Sequence, residues 1–461
     1  MSRPTDRWRV QMWQSGNQKR FSLLGFALTA LLLAGFGRRA AAQEGKVGRV
    51  TLAEAVQKAV AQNPAVAAGR SERQRAEAAG KQARGGYGPT LGVEANALFW
   101  DRSLDVTLGP EPFTVRETFT SEVTVSATQP LVGLYGVRHR HRRATLEVDV
   151  VEAELRQTRR RVVLETVIAF YRVLQAKNRL ETARQSVEQI GAQVDRMRRF
   201  VEAGRVQKNE LLRLKVARAA AQQDALEAEN RLEVGRARLA TEMGRSIGAP
   251  VEPVEPDGSL DDGAGLSLEE AYRRATDERP EIDRLDRRQA QTRAGIGVAR
   301  AQLLPQLALQ GAYRHTEGFS FLNSNVFFGG VVLNWNVFEW GRRYYAIDEA
   351  RARMRGVGHR LEEVRREIRL QVKVAHADLR TARERLQVAR AAVDQATEAF
   401  RVETERVKQG VATTTNLLDA ETALTEARNN KTDATYGVFI ARARLRHAIG
   451  LPITKRPDDG E

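Results

Sequence analysis

The chain has 461 residues, 29% of them charged and only 6% aromatic, with a formal net charge of +16, a balance that suits long solvated helices better than a thick globular core. It contains no cysteine, which excludes disulfides, thiolate metal sites, cysteine nucleophiles and a lipid on an N-terminal cysteine. A basic excess is the usual mark of a nucleic-acid binder, but here the basic residues alternate with acidic ones along helical faces, and no nucleic-acid partner is expected.

In the N-terminal segment, Lys19-Arg20 precede an apolar run from Phe21 to Phe36, and Ala40-Ala41-Ala42 precede Gln43. This order is that of a secretory signal peptide over residues 1–42. Arg38 and Arg39 sit untidily between run and cleavage site, so an uncleaved anchor is the alternative, although the run is short for a spanning helix. Beyond residue 43 no stretch reaches the roughly 18 apolar residues of a transmembrane helix, so membrane residence requires strands.

The remainder is duplicated. Leu52, Pro64 and Pro89 recur as Leu268, Pro280 and Pro305 at an offset of 216. The offset is 205 where "QPLVGLYGVR" from Gln129 faces "NWNVFEWGRR" from Asn334, so the first copy carries about eleven extra residues, expected in a loop. It is 206 thereafter, pairing Gly204 with Gly410, Leu211-Leu212 with Leu417-Leu418, and "RARL" at Arg236 with "RARL" at Arg442. The first repeat is placed at 43–250 and the second at 266–451, with an acidic, Gly- and Pro-bearing connector at 251–265 and a tail at 452–461.

Each copy opens on a helix capped at Thr51 or Ser267, with Glu54 or Glu270 three residues on, the capping-box pattern. A further helix is expected to run to Pro89 or Pro305, where proline admits extended chain. Leu91, Val93, Ala95, Ala97 and Phe99 then alternate, as do Leu307, Leu309, Gly311 and Tyr313; a second alternating stretch follows around Val123, Val125 and Ala127, and around Val331, Leu333 and Trp335. Each copy thus predicts one β-hairpin, at about 90–129 and 306–337, with strands of roughly ten residues, the length that crosses a bilayer when tilted.

Long helices come next. Leu180, Ala183, Val187, Ile190, Val194, Met197 and Val201 recur in threes and fours, with Leu386, Ala389, Val393, Ala396, Phe400 and Val407 in register, which is a coiled-coil seam. Gly204 and Gly410 are expected to stop the outgoing helices, and Gly244 and Gly450 the returning ones, giving helical hairpins at about 138–244 and 341–449. Four strands cannot close a barrel and lipid tolerates no open edge, so chains must pool strands. Two, three or four chains give about 8, 12 or 16 strands, with conduction favouring the larger barrels.

In order, duplication and spacing, residues 50 to 451 resemble the TolC family of outer-membrane factors. The resemblance is carried by the paired Asn-Pro and Arg-Pro helix breaks, by "QPLVGLYG" and "NWNVFEWG", and by "GVATTTNLLDAETALTEARNN" after Gly410. It implies a mainly α fold with a membrane β-barrel: a homotrimer whose twelve-stranded β-barrel continues into a twelve-helix α-barrel. It implies an exit duct for efflux or secretion in the outer membrane, with a large periplasmic portion and contact with outer-membrane lipid. The duct would work with a periplasmic adaptor protein and an inner-membrane pump or secretion transporter. Asp419 matches an acidic gate position at the tunnel tip, and Asn416 stands where another acidic residue is usual. Gly204-Arg205 and Gly410-Val411 match the tip turns on which adaptors dock. The plainer readings are a first-turn carboxylate at Asp419 and simple helix stops at the glycines.

Arg138 to Arg143 read as a solvated basic collar rather than a phosphate or metal patch. Phe99, Trp100, Phe327, Phe328 and Trp335 are candidates for an interfacial girdle or for plain strand packing. His315, His359, His376 and His447 have no ligand partner at helical spacing. No phosphate loop, dinucleotide fingerprint, nucleophile elbow or zinc motif is present, so no enzyme, cofactor or metal is expected. The alternative is a periplasmic coiled-coil adaptor without its own pore, which would carry one helical hairpin rather than two in tandem.

Overall fold

The structure is a computed structural model, and it describes residues 48–107, 109, 112–248, 251–255 and 267–453. The signal segment at 1–42, most of the connector and nearly all of the tail lie outside the described residues.

The order of elements is β1 (Gly48–Val50), α1 (Leu52–Gln62), α2 (Pro64–Gly85), β2 (Thr90–Phe99), β3 (Leu104–Thr107), β4 (Pro112–Pro130), α3 (Leu134–Glu202) and α4 (Lys208–Glu242). Then come β5 (Val251–Pro253), α5 (Leu268–Glu278), α6 (Pro280–Ala301), β6 (Gln306–Phe319), β7 (Asn325–Asn334), α7 (Arg342–Lys408) and α8 (Thr414–Ile449).

The local chemistry explains the boundaries. Thr51 and Glu54 exchange a reciprocal capping box at α1. At α5 only half of it forms: Ser267 accepts from the Glu270 amide, while the Glu270 carboxylate accepts from Arg274 instead. Pro64 and Pro280 occupy the first helical position of α2 and α6, where a missing amide hydrogen is harmless. These two helices end at Gly85 and Ala301, about one turn before Pro89 and Pro305, because the residues ahead of the prolines already turn toward the sheet.

All four helix-stop glycines lie in the left-handed region: Gly204 and Gly244 at φ +71°, Gly410 at φ +76° and Gly450 at φ +98°. Each closes a Schellman motif. At the first, Arg205 donates to the Phe200 carbonyl and Gly204 to the Val201 carbonyl; at the third, Val411 donates to Arg406 and Gly410 to Val407.

Two expectations for the strands need correction. The eleven extra residues of the first copy are not a plain loop: they contain β3, which pairs antiparallel with the outer half of β4 and is held by Asp105, whose carboxylate accepts from Ser103 and Thr114 at 3.0 and 2.7 Å. Nor are all the strands about ten residues long, since β4 has 19 and β6 has 14. No proline or glycine interrupts the Thr- and Val-rich run between Pro112 and Pro130, so nothing ends β4 earlier. The sheet order is β2-β4-β6-β7, with the short β3 off this path on β4 and every pairing antiparallel, which leaves β2 and β7 at the two ends.

The two long helices, 69 and 67 residues, rise on the order of 100 Å each. Shorter helices complete their lengths: α3 packs against α2 and α6 near the sheet and against α4 and α8 farther on, while α7 packs against α6 and then α8. Midway along, Phe170 and Tyr171 are fully buried with Val50, Val251 and Tyr436, and Tyr171 stacks on Phe439 at 5.0 Å. A second cluster, built on Leu285, Ile368, Val372 and Leu445, serves α5 to α8.

Candidate functional site

The strand register sorts the sheet into two faces. On one face Leu91, Val93 and Phe99 of β2 align with Ala127, Val125 and Phe119 of β4; Leu309 and Tyr313 of β6 align with Val331 and Phe327 of β7. Most of these side chains are exposed, with Leu91, Val93, Phe99 and Phe327 at 81%, 74%, 84% and 81%. The opposite face carries Glu94 and Asn96 on β2, Glu122 and Thr124 on β4, and Gln310 and Arg314 on β6, with Arg314 Nε 3.4 Å from Glu122 Oε1. One face thus suits lipid and the other water, the alternation of a membrane barrel wall. Among the described residues no helix is long and apolar enough to cross a membrane.

Of the aromatic candidates, Phe99 and Phe327 lie on the apolar face, where they pair with Phe119 at 4.8 Å and Tyr313 at 4.6 Å. Phe328 points to the polar face and carries the Arg314 guanidinium over its ring. Trp100 is likewise engaged otherwise, lying under Arg116 at 3.7 Å and donating to Thr120 at 3.0 Å. Trp335 donates to the Leu303 carbonyl.

Below the sheet Arg138, Arg140, Arg142 and Arg143 are exposed at the start of α3. His139 between them packs on α6, and its pKa is pushed down by burial and by the adjoining Arg138 and Arg142.

At the far end the turns at Gly204-Arg205 and Gly410-Val411 come together over one apolar cluster. It draws Ile190, Val194 and Met197 from α3, Leu211 and Leu214 from α4, Val407 from α7 and Leu417 from α8. Both glycines have open space around them. Arg205 and Val411 are exposed.

Asn416 and Asp419 have different surroundings. Asn416 belongs to the α8 cap: its amide donates to Thr413 Oγ1, whose hydroxyl donates back to Asn416 Oδ1 at 2.6 Å. Asp419 is exposed and lies in the second turn of α8, not the first, because Thr413 is the cap residue; the macrodipole is therefore a weaker reason for its presence. It lines a groove with Leu212, Arg213 and Val216 of α4 and Thr415 and Leu418 of α8, and Arg213 donates to Thr415 Oγ1 at 2.9 Å. Arg213 was not legible as a tip residue, because nothing in the sequence brings α4 beside α8.

A second group that sequence reasoning missed ties the two hairpins along the α3–α8 seam. Arg179 Nε and Gln175 Nε2 each donate to Asp433 Oδ1 at 2.8 Å, and Asn178 donates to the Tyr436 hydroxyl, which donates to Glu255 at 2.7 Å. Nearer the tip, Ser186 and Thr425 donate to the buried carboxylate of Glu421. Among the described residues no group of side chains is arranged to hold a metal ion.

Known proteins are similar to this chain in sequence or in fold. The alkaline protease secretion protein AprF of Pseudomonas aeruginosa is 25% identical over 337 residues, covering 71% of this chain and 69% of that protein. The fold matches the outer membrane protein VceC of Vibrio cholerae with a TM-score of 0.72 at 17% identity, over 87% of this chain and 97% of that one. It matches the Campylobacter jejuni CmeC outer membrane channel with a TM-score of 0.75 at 16% identity, over 88% and 87%. The profile of the family described as outer membrane efflux protein matches residues 55–245 and 271–451, one block in each copy of the duplication. With both copies of the duplication matched, this chain belongs to the outer membrane efflux protein family: it is an outer-membrane channel for efflux or secretion with a large periplasmic helical portion, and not an enzyme.

Proposed function

We propose that three copies of this chain pool their strands into a twelve-stranded barrel continued by a twelve-helix tunnel, and that the duct delivers cargo handed over by an inner-membrane transporter through a periplasmic adaptor. The observation that carries the reading is the pair of edge strands, β2 and β7, each with one partner, on a sheet whose one face is apolar from Leu91, Ala127, Leu309 and Val331 to Val93, Val125, Tyr313 and Phe327. In lipid each edge would leave a row of peptide groups without partners, at several kcal/mol apiece. Joining β7 of one copy to β2 of the next pairs both of these edges.

In this reading the tip turns at Gly204-Arg205 and Gly410-Val411 receive the adaptor, and copies of Asp419 face one another across the tunnel mouth. Like charges brought together around an axis favour cations. Asn416 contributes its cap rather than a charge.

Electron microscopy of the detergent-purified protein tests the assembly. A three-fold particle with a long cylinder below a short barrel supports it; a monomeric particle sinks it. Reversal potentials in planar bilayers test the gate: Asp419→Asn should reduce cation preference, and an unchanged preference would remove Asp419 from the constriction.

A further inference from the structure

Where copies meet, the duplication specifies the register. We infer that α4 of one copy docks on α7 of another as α8 docks on α3 within the chain, with Arg385 paired to Glu227 of the neighbouring copy. This rests on the pooled-chain reading above and adds its side-chain contacts.

The within-chain contact is fully visible: Arg179 and Gln175 of α3 converge on Asp433 of α8. Shifting each residue by the 206-residue offset of the helical hairpins takes Arg179 to Arg385, Gln175 to Thr381 and Asp433 to Glu227. The cation, the second hydrogen-bond donor and the carboxylate are all retained. Yet within the chain these images are apart. Thr381 and Arg385 are exposed on α7, and Glu227 on α4 is exposed and pairs with Arg231 one turn on at 3.1 Å.

The apolar positions repeat the pattern. Thr182, buried at 7% exposure beside the α3–α8 seam, has Val388 as its image, and Val388 is 72% exposed. Leu164 and Ile440 pack on the core, while their images Leu370 and Val234 are 63% and 60% exposed. The surface that α8 and α3 bury against each other is therefore present again on α7 and α4, and bare. A contact that lies inside the chain for one pair of helices lies between chains for the other, and its occupant is a second copy of this chain. Charge complementarity and matched apolar positions fix one register, since a slip by one turn would set Arg385 opposite a different side chain.

The chain has no cysteine, so an introduced pair is the only thiol present. Full-length protein carrying Glu227→Cys and Arg385→Cys, extracted in detergent and treated with a short bis-maleimide, should give covalent multi-chain species. A control carrying Glu227→Cys and Val402→Cys, displaced by about 25 Å along α7, should not. An assembled oligomer by light scattering that fails to crosslink, or crosslinks equally in the control, overturns the register and leaves the pooled-chain reading standing. Protein that is monomeric by light scattering overturns both. In a second measurement, Arg385→Glu should lower the temperature at which the oligomer dissociates, and adding Glu227→Arg should restore it; failure of restoration overturns the pair.

Discussion

Arg279 and Glu281 form a two-pronged ion pair, Nε to Oε2 and Nη2 to Oε1 both at 2.9 Å, with side chains only 6% and 15% exposed. The same guanidinium donates to the Ala448 carbonyl at 3.2 Å and to Gln371 at 3.1 Å, so one side chain joins the start of α6 to α7 and to the end of α8. Arg279 stands immediately before Pro280, where the chain breaks between α5 and α6. Its sequence context announces only a helix break.

Removing one partner leaves the other buried and unpaired. Arg279→Met should destabilise the protein by about 3 kcal/mol or more, read as a lower unfolding midpoint in detergent. Arg353→Met, whose exposed side chain pairs with Glu349 on its own helix, should change stability by under about 1 kcal/mol. Equal shifts for the two would refute the special standing of Arg279.

His447 lies beside this pair. Burial, together with the charges of Arg279 and Arg160, holds its pKa down at about 4, against the smaller opposing effect of Glu281. The folded protein therefore takes up a proton less readily than the unfolded chain, whose histidine titrates near 6.5. Stability from this site is complete above that value and is lost as pH falls from about 6.5 to about 4, on the order of 3 kcal/mol. His447→Gln should flatten the decline in unfolding midpoint between pH 7 and pH 5. A variant as acid-sensitive as the parent would place the titration elsewhere.

The two glycines with φ +71°, Gly204 and Gly244, separate backbone strain from crowding. Nothing lies within 4 Å of a Cβ built at Gly204, but at Gly244 it would meet the Gln62 carbonyl oxygen at 2.5 Å. Gly204→Ala should cost about 1 kcal/mol for the left-handed backbone alone. Gly244→Ala must also displace the backbone at the α1–α2 junction, and should cost clearly more. Unfolding midpoints of the two variants decide it, and equal losses would mean that the junction yields freely.

Much of this architecture could be read from local signals. The four stop glycines, the prolines at Pro64 and Pro280 and the alternation around Val93 and Val125 act within a few residues, so their outcome does not depend on distant chain. What escaped the sequence is long-range. The pairing of β3 depends on β4 turning back across it, and the meeting of Arg179 with Asp433 or of Arg213 with Thr415 depends on two hairpins lying side by side. The motif offered Asp419 as a candidate, but it did not point to the α4 side chains that share its groove.

The two faces of the sheet give the last test, using adjacent residues of β4. Val125 is on the apolar face, opposite Val93 and Tyr313; Thr124 is on the polar face, opposite Glu94 and Arg314. A charge toward lipid costs about 2–4 kcal/mol near the midplane and far less toward water. Val125→Arg should therefore lower the amount of assembled protein in the outer membrane sharply, whereas Thr124→Arg should leave it near the parent level and alter conductance instead. Because a one-residue slip in register exchanges the faces of a strand, the reverse result would show that β4 is set one residue away from its place here.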